Sequence, residues 1–520
     1  MKDEIFFRDK LEDEWEANEV YAILSECDKD FEPPLSERGS TVQKTWEKKS
    51  GDGVRNYFNE VAKQHTLFLK REKKIIAFLS FRSMEECEAL KNYRDICYFT
   101  TLCIRKEYRG QGLALVLYQK AKEYVEESSR YTVMALRTWS TNKAQLHLME
   151  KMDFHCETRL KNDRGEGIDT LYFVKEITGK GIRAYGYTIG NGKCGIRNTI
   201  TDVPGVKVGH YTVRKGKNQT GVTVIIPCDG FVYERKPLAA VYALNGFGKT
   251  QGTVQIEELG VLETPIALTN TLNVGKAADG LVTFTEKECR KNGKELVSVN
   301  PVVGETNDSR MNQITERVIE AEDVLFAIEH AEKNFKQGAV GAGRGTVCFG
   351  LKGGIGSASR ILTFGGKEYT IGVLVQSNFG KTQDLTVAGI PVGRQICTKI
   401  QNSAKEDKGS IMVIVGTDLP LGERQLKRVL KRAAVGLIRT GSFMGHGSGD
   451  VFIGFTNANG IPDTKEEQFH MMKYFPENQL DKVFRLVAEA VEESILNSLT
   501  CAKAMPGRDG EIYHSLSEFL

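Results

Sequence analysis

Two short segments carry residue types whose spacing can do chemistry. In Tyr108-Arg109-Gly110-Gln111-Gly112-Leu113-Ala114 a glycine turn follows an apolar, strand-like run and opens an amphipathic one. Such a turn presents unpaired backbone N–H groups at the positive end of a helix dipole, which suits a pyrophosphate. Gly110, Gly112 and Ala114 leave room for the ligand to approach the backbone. The plain alternative is a tight turn with no ligand. In the second segment Gly409-Ser410 follows the polar stretch 401–408 and opens the apolar run Ile411-Met412-Val413-Ile414-Val415. A serine directly after a glycine, at the head of a core strand, is what self-cleavage into an N-terminal nucleophile needs. Glycine leaves the scissile carbonyl open, and cleavage would free an α-amine with a reference pKa of roughly 7.7–8.0, near that of a general base at neutrality. A loop-to-strand junction is the alternative.

The elements that must hold these segments differ between the two parts of the chain. Of 52 glycines only 7 lie in residues 1–178, whereas all three tryptophans (Trp15, Trp46, Trp139) do. This shift predicts two domains, 1–178 and 183–520, with a seam at Thr178-Gly179-Lys180-Gly181. The first part reads as α/β: helices over 13–25, 54–64, 113–127 and 142–152, strands over 66–71, 74–81, 96–104 and 131–137. The second reads as layered α+β. Strands are expected over 222–227, 265–269, 370–376 and 411–416, and helices over 321–335, 423–437 and 479–499.

Composition excludes several classes. At 520 residues with 40% hydrophobic and 27% charged residues the chain can build real cores, so disorder is excluded. A net charge of +3 points to neither nucleic acid nor membrane. The basic face of 423–437 alternates with leucines at helical spacing and reads as a solvated surface. No run of 18 apolar residues occurs, and the charged start Met1-Lys2-Asp3-Glu4 predicts a cytoplasmic protein. Eleven scattered cysteines and eight histidines, without paired spacing, point to no disulfide framework and no metal.

Arg109-x-x-Gly112-x-Ala114 resembles the acetyl-CoA signature of the GNAT N-acetyltransferases, and its flanks, with Asn142 opening the next helix, resemble that family too. The resemblance implies a GNAT fold over 1–178, acetyl-CoA held by Arg109, Gly110, Gln111, Gly112, Leu113, Ala114 and Asn142, and an amine acceptor. Two departures stand out: Met149 occupies the place of the family's thiolate-protonating tyrosine, and Asp153 that of a glycine. Glu85, Glu86 and His147 are the options for a general base.

The segments 198–210, 220–224, 263–272 and 352–360, with Gln376-Ser377-Asn378-Phe379-Gly380, Gly409-Ser410, 417–421 and Gly447-Ser448-Gly449-Asp450, resemble the L-aminopeptidase/D-esterase (DmpA) and β-peptidyl aminopeptidase family over about 183–512. That resemblance implies an αββα sandwich, shared with ornithine acetyltransferase, that processes itself. Cleavage between Gly409 and Ser410 would leave an α chain to 409 and a β chain from 410, assembled as a homo-oligomer of αβ units. Ser410 is then the nucleophile, Asn378 the oxyanion donor, and Ser448 with Asp450 a supporting Ser–acid pair. Either this pair or the α-amine is the base. No cofactor is implied for this half, and its substrates are small peptides, amides or esters beside a free amine. Arg310 stands near the family's site tyrosine and Lys249 where an acid is usual. The expected protein is a bifunctional fusion. The alternatives are acyl transfer of the ornithine acetyltransferase type, or an acetyl-CoA-sensing module on an inactive peptidase scaffold.

Overall fold

The computed structural model describes residues 3–38, 53–84, 87–91, 93, 96–127, 131, 133–177, 179–400, 409–463, 467 and 469–520. The chain divides into two compact units, Met1–Ile177 and Thr178–Leu520. Among the described residues no helix is long and apolar enough to cross a membrane.

The first unit is built on a seven-stranded sheet. Its strand order is Asp3–Arg8, His65–Arg71, Lys74–Met84, Ile96–Ile104, Val133–Trp139, Thr170–Glu176, His155–Leu160. Only Ile96–Ile104 and Val133–Trp139 run parallel, and their pairing stops at Phe99 and Leu136. Beyond that point the strands diverge and open a gap in the sheet. A register shift beside Thr100 accompanies it, an irregularity that re-aims side chains at strand ends. Helices Glu14–Cys27 and Gly53–Val61 cover one face through Val20, Leu24, Tyr57 and Phe58, packed against Phe68 and Phe78. Asp13 caps the first helix by accepting from the Glu16 N–H at 2.9 Å. Leu113–Glu127 and Lys143–Lys151 cover the other face, where Leu117, Tyr118 and Met149 meet Phe81, Phe99 and Leu136.

The second unit is an αββα sandwich. One sheet has the order Arg235–Gly246, Gly449–Pro462, Ser410–Thr417, Lys367–Asn378, Ile355–Phe364; the other Val302–Thr306, Ile266–Asn270, Asn218–Ile226, Lys207–Lys215. Side chains alternate along each strand. Met412 and Ile414 enter the layer between the sheets, with Leu268 and Val302. Ile411, Val413 and Val415 meet helices Glu423–Arg439 and Leu480–Thr500 on the outside. Val274–Lys291 and Ala321–Glu329 cover the outer face of the second sheet.

Two differences from the expected elements have local causes. Helix Val274–Lys291 was masked in the sequence by Gly275 and Gly280. Gly280 is there because a Cβ would lie 2.6 Å from Val324, so it lets the two outer helices approach closely. The helix expected over 321–335 stops at Glu329, because Glu332 instead bridges Val208 at the edge of the sheet.

A buried ionic cluster fastens the start of this unit to its last helix. Arg360, fully buried, donates to Glu493 at 2.7 Å and to Glu489 at 3.3 Å, and Arg183 reaches Glu493 at 2.6 Å. Removing one partner of such a cluster strands the opposite charge. Glu493→Ala is expected to cost about 3–5 kcal/mol, read as a lower denaturant midpoint for the second unit; a loss under 1 kcal/mol would refute it.

Candidate active sites

Ser410 begins the central strand of the first sheet. It pairs with Asn378 on one side and Gly449 on the other. By strand alternation Ser410 and Asn378 share the face of Met412 and Leu374, which looks into the layer between the sheets. Both are 7% exposed, so the site is nearly closed yet open to a small ligand. The Gly449 N–H donates to Ser410 Oγ at 3.2 Å. Asn378 is fixed at both ends: Oδ1 accepts from the Val347 N–H at 2.9 Å, and Nδ2 donates to the Asn307 carbonyl at 2.9 Å. One of its two amide hydrogens is committed there, leaving the other for a ligand oxygen.

The parts that hold Asn378 are themselves braced. Buried Lys352 donates to the carbonyls of Gly343, Thr346 and Gly353 at 2.7–3.0 Å and so shapes the turn bearing Val347. Asp308 accepts from Thr220, Asn270 and Asn312, fixing the segment that carries Asn307. Burial pushes its carboxyl up to about 6.

Ser448 and Asp450 meet directly, Oγ donating to Oδ1 at 2.7 Å, both 1% exposed. Asp450 pairs with Ile411 in register and shares the face of Phe452, toward the helices. The pair thus lies beside the Ser410 main chain, on the opposite face from the Ser410 side chain. Arg310 and Lys249 are exposed. The Lys249 ammonium lies 4.5 Å from the Phe247 ring, while its backbone N–H donates to Glu305 at 2.9 Å. Glu305 is a 3% exposed carboxylate that also accepts from Thr271, and the sequence reading gave it no role. His446 is exposed.

Gly409 explains its own identity. A Cβ there would lie 1.8 Å from the Asn378 carbonyl oxygen and 2.5 Å from Phe379 Cα. The main chains of Gly409 and of Asn378-Phe379 are pressed together beside Ser410. Gly409→Ala must push Ser410 and Asn378 apart, so any self-cutting after residue 409 is expected to slow at least about tenfold, a barrier rise of roughly 1.4 kcal/mol. Gel densitometry over time measures this, and an unchanged cutting rate would refute it. The stretch 401–408 lies outside the described residues.

The first unit holds a cleft of about 370 Å³ at the gap in its sheet. Arg109, Gly110, Gly112, Leu113, Ala114 and Asn142 line it. Gly110 and Gly112 have φ of 77° and 76°, where glycine is favoured, and nothing within 4 Å would meet a Cβ. Asn142 caps helix Lys143–Lys151 by accepting from the Gln145 N–H at 3.2 Å and donates to Thr138 at 3.2 Å. Arg109 donates to Asp30 at 2.7 Å and to the Ile104 carbonyl at 3.0 Å. The Gln111 side chain is turned away from the cleft toward Arg71, at 3.1 Å, so only its backbone can serve a ligand. His147 projects from its helix with an 80% exposed side chain and does not line the cleft, which removes it as a base there. Glu85 and Glu86 lie outside the described residues. Met149 is fully buried. Beside it Gln145 Nε2 donates to Tyr118 OH at 2.9 Å, and Tyr118, which no sequence motif singles out, lines the cleft.

Residues 198–513 match the model of peptidase family S58. The chain belongs to peptidase family S58. A β-peptidyl aminopeptidase BapA of Sphingosinicella microcystinivorans is 37% identical over 343 residues, 61% of this chain and 85% of that one. The crystal structure of the PH0078 protein of Pyrococcus horikoshii OT3 is 46% identical, with a TM-score of 0.62, over 65% of this chain and 96% of the other. The L-aminopeptidase D-Ala-esterase/amidase of Ochrobactrum anthropi, described as a prototype serine aminopeptidase and a variant of the Ntn hydrolase fold, is 33% identical, with a TM-score of 0.61, over 65% and 95%. The S58 part of this chain has that fold, as its αββα layering requires. Residues 19–154 match the acetyltransferase (GNAT) family model, so a GNAT domain precedes the S58 domain.

Proposed function

We propose that the S58 domain is a self-processed N-terminal-serine aminopeptidase and that the GNAT domain is an acetyl-CoA-dependent N-acetyltransferase. The observation that carries the first half is the junction itself: Ser410 heads a central strand between Asn378 and Gly449, and the preceding Gly409 has no room for a side chain. In this reading Ser410 Oγ attacks the Gly409 carbonyl, the peptide C–N bond breaks, and the nitrogen leaves as the new α-amine. Water then cleaves the resulting ester, giving an α chain that ends at Gly409 and a β chain that begins at Ser410. In turnover Ser410 acylates on the carbonyl of the substrate's first residue and water releases that residue as a free amino acid. Asn378 donates to the oxyanion. The Ser448–Asp450 pair, beside the Ser410 main chain, holds and relays the proton of the α-amine, which then acts as the base. Small peptides, amides and esters with a free amine are the substrates.

In the GNAT domain the turn through Gly110, Gly112 and Ala114 holds the pyrophosphate and the gap in the sheet holds the thioester. The neutral acceptor amine forms the new C–N bond as the C–S bond breaks, its surplus proton passes to water, and Tyr118 protonates the departing thiolate and regains its proton from water. Intact mass of fresh protein under denaturing conditions tests the first half: two fragments split after Gly409 are expected, and a single 520-residue species would overturn it. Calorimetry with acetyl-CoA tests the second half, and no binding heat would overturn it.

A further inference from the structure

The acetyl-CoA cleft does not end at the helices that carry the glycine turn. It passes through the gap in the sheet. Phe99 and Leu136 line it on the face that meets Leu113–Glu127; Thr101, Arg137 and Trp139, by strand alternation, line it on the opposite face. Three guanidinium groups gather on that side of the sheet, each from a different segment: Arg137 lines the cleft, and Arg38 and Arg164 stand against the Phe31 and Trp139 rings that line it. Arg137 comes from the strand Val133–Trp139, Arg38 from the segment after the first helix, and Arg164 from the turn between His155–Leu160 and Thr170–Glu176.

The geometry draws them together. Arg38 Nη2 donates to the Glu32 carbonyl at 3.1 Å, and Arg164 Nη1 donates to the same oxygen. Arg164 Cζ stands 5.3 Å over the Trp139 ring and Arg38 Cζ 5.1 Å over the Phe31 ring. These two rings, 6.0 Å apart, both line the cleft. Arg137 is hydrogen-bonded to Tyr172, its partner in register. The carboxylate beside Arg164, Asp163, accepts from Thr170 at 2.5 Å, and the same Thr170 oxygen accepts from Arg164 Nε at 2.9 Å. Tyr98, within reach of the fields of Arg137 and Arg164, keeps a buried hydroxyl that no described residue hydrogen-bonds. Burial first, and then Arg38 and Arg137, pull the Arg164 guanidinium down to about 9. Like charges gathered at low dielectric are costly, and a bound anion relieves that cost.

We propose that Arg137, with Arg164 and Tyr98 behind it, marks the acceptor subsite of the GNAT domain, and that the acceptor is an amino acid whose carboxylate Arg137 holds. Planar guanidinium groups suit a carboxylate, and the aromatic walls suit its carbon chain. The thioester enters from the glycine-turn face and the amine from the arginine face, so the two meet at the gap. An amino acid is also the chemical class that the S58 domain releases, with a free amine and a free carboxylate. The product of one half is thus a substrate class for the other. This inference rests on the transferase reading above.

The test uses the full chain with Ser410→Ala, so that amide probes are not hydrolysed. Thiol release from acetyl-CoA is followed with β-alanine against β-alaninamide and with leucine against leucinamide. Each acid is expected to have a kcat/KM at least about tenfold above its amide, the effect of one charge-assisted contact. Arg137→Met should raise KM for the acids about tenfold more than for the amides, and be partly rescued by Arg137→Lys. Amides as good as acids, or acids and amides slowed alike, would overturn the subsite. Should acetyl-CoA bind and no amine be acetylated, the transferase reading falls, and calorimetry of leucine into CoA-bound protein still decides the subsite. Affinity lost in Arg137→Met upholds it; equal affinity in both proteins overturns it.

Discussion

Ser410→Ala is expected to remain a single chain and to lose aminopeptidase turnover by at least about 10⁴-fold, the scale on which other serine hydrolases lose their nucleophile. Two independent requirements fall on the same oxygen. Cleavage needs Oγ to reach the Gly409 carbonyl, and turnover needs it to form the acyl-enzyme. Alanine is smaller than serine and preserves the strand pairing to Asn378 and Gly449, so folding is not at risk. The control is an unchanged melting midpoint together with unchanged acetyl-CoA binding. Intact mass reads the first requirement and release of p-nitroaniline from aminoacyl anilides the second. A Ser410→Ala protein that is still cut after Gly409, or that still turns over within tenfold of wild type, would dismiss Ser410 as the nucleophile. Asp450→Asn separates the steps differently. Its amide keeps a partner for Ser448 and removes the charge beside the Ser410 main chain, so turnover falls while the mutant folds as before.

Much of this architecture was legible because apolar periodicity reports burial. The runs 96–104 and 113–127 coincide with Ile96–Ile104 and Leu113–Glu127. The unbroken apolar run Ile411–Val415 correctly marks a strand buried on both faces. Lys207–Lys215 escaped notice because charged ends flank a short, polar-interrupted middle, and Arg235–Gly246 because Pro237 and its three alanines carry little strand signal. At the sites, motifs bring residues together only where the fold repeats a local geometry. The glycine turn did so; Gln111, placed in the motif by spacing, turns its side chain outward to Arg71. Arg38, Arg137 and Arg164 lie far apart in sequence and meet only because a helix exit, a diverging strand and a turn converge at one gap. No spacing rule reports that convergence, nor does one report Tyr118, which sits on a helix whose periodicity marks it as core.

Tyr118→Phe is the second large effect, an expected loss of about a hundredfold in kcat for acetyl transfer, the lower end of what a positioned proton donor contributes. The place where a thiolate-protonating tyrosine is usual holds Met149, fully buried and unable to donate. Tyr118, on the adjoining helix, puts a hydroxyl in the cleft instead. Its ring meets Phe99 edge-on at 5.3 Å, and Phe99 is the last residue paired before the strands diverge. Since the hydroxyl accepts from Gln145 Nε2, its own proton is directed elsewhere, and the cleft is where a departing thiolate would stand. Burial drives the phenol well above its ordinary value, against the smaller opposing pull of Gln145, so the group stays protonated at every working pH and the proton is present when the thiolate departs. Phenylalanine keeps the ring and its packing, so acetyl-CoA affinity should change less than twofold while kcat falls. A kcat within twofold of wild type would remove Tyr118 from the chemistry. A parallel loss of acetyl-CoA affinity would reduce it to a wall of the cleft. Gln145→Leu supplies the complementary reading: it withdraws the bond that orients the hydroxyl but leaves the proton in place, so its loss in kcat should be smaller than that of Tyr118→Phe, and combining the two should cost no more than Tyr118→Phe alone.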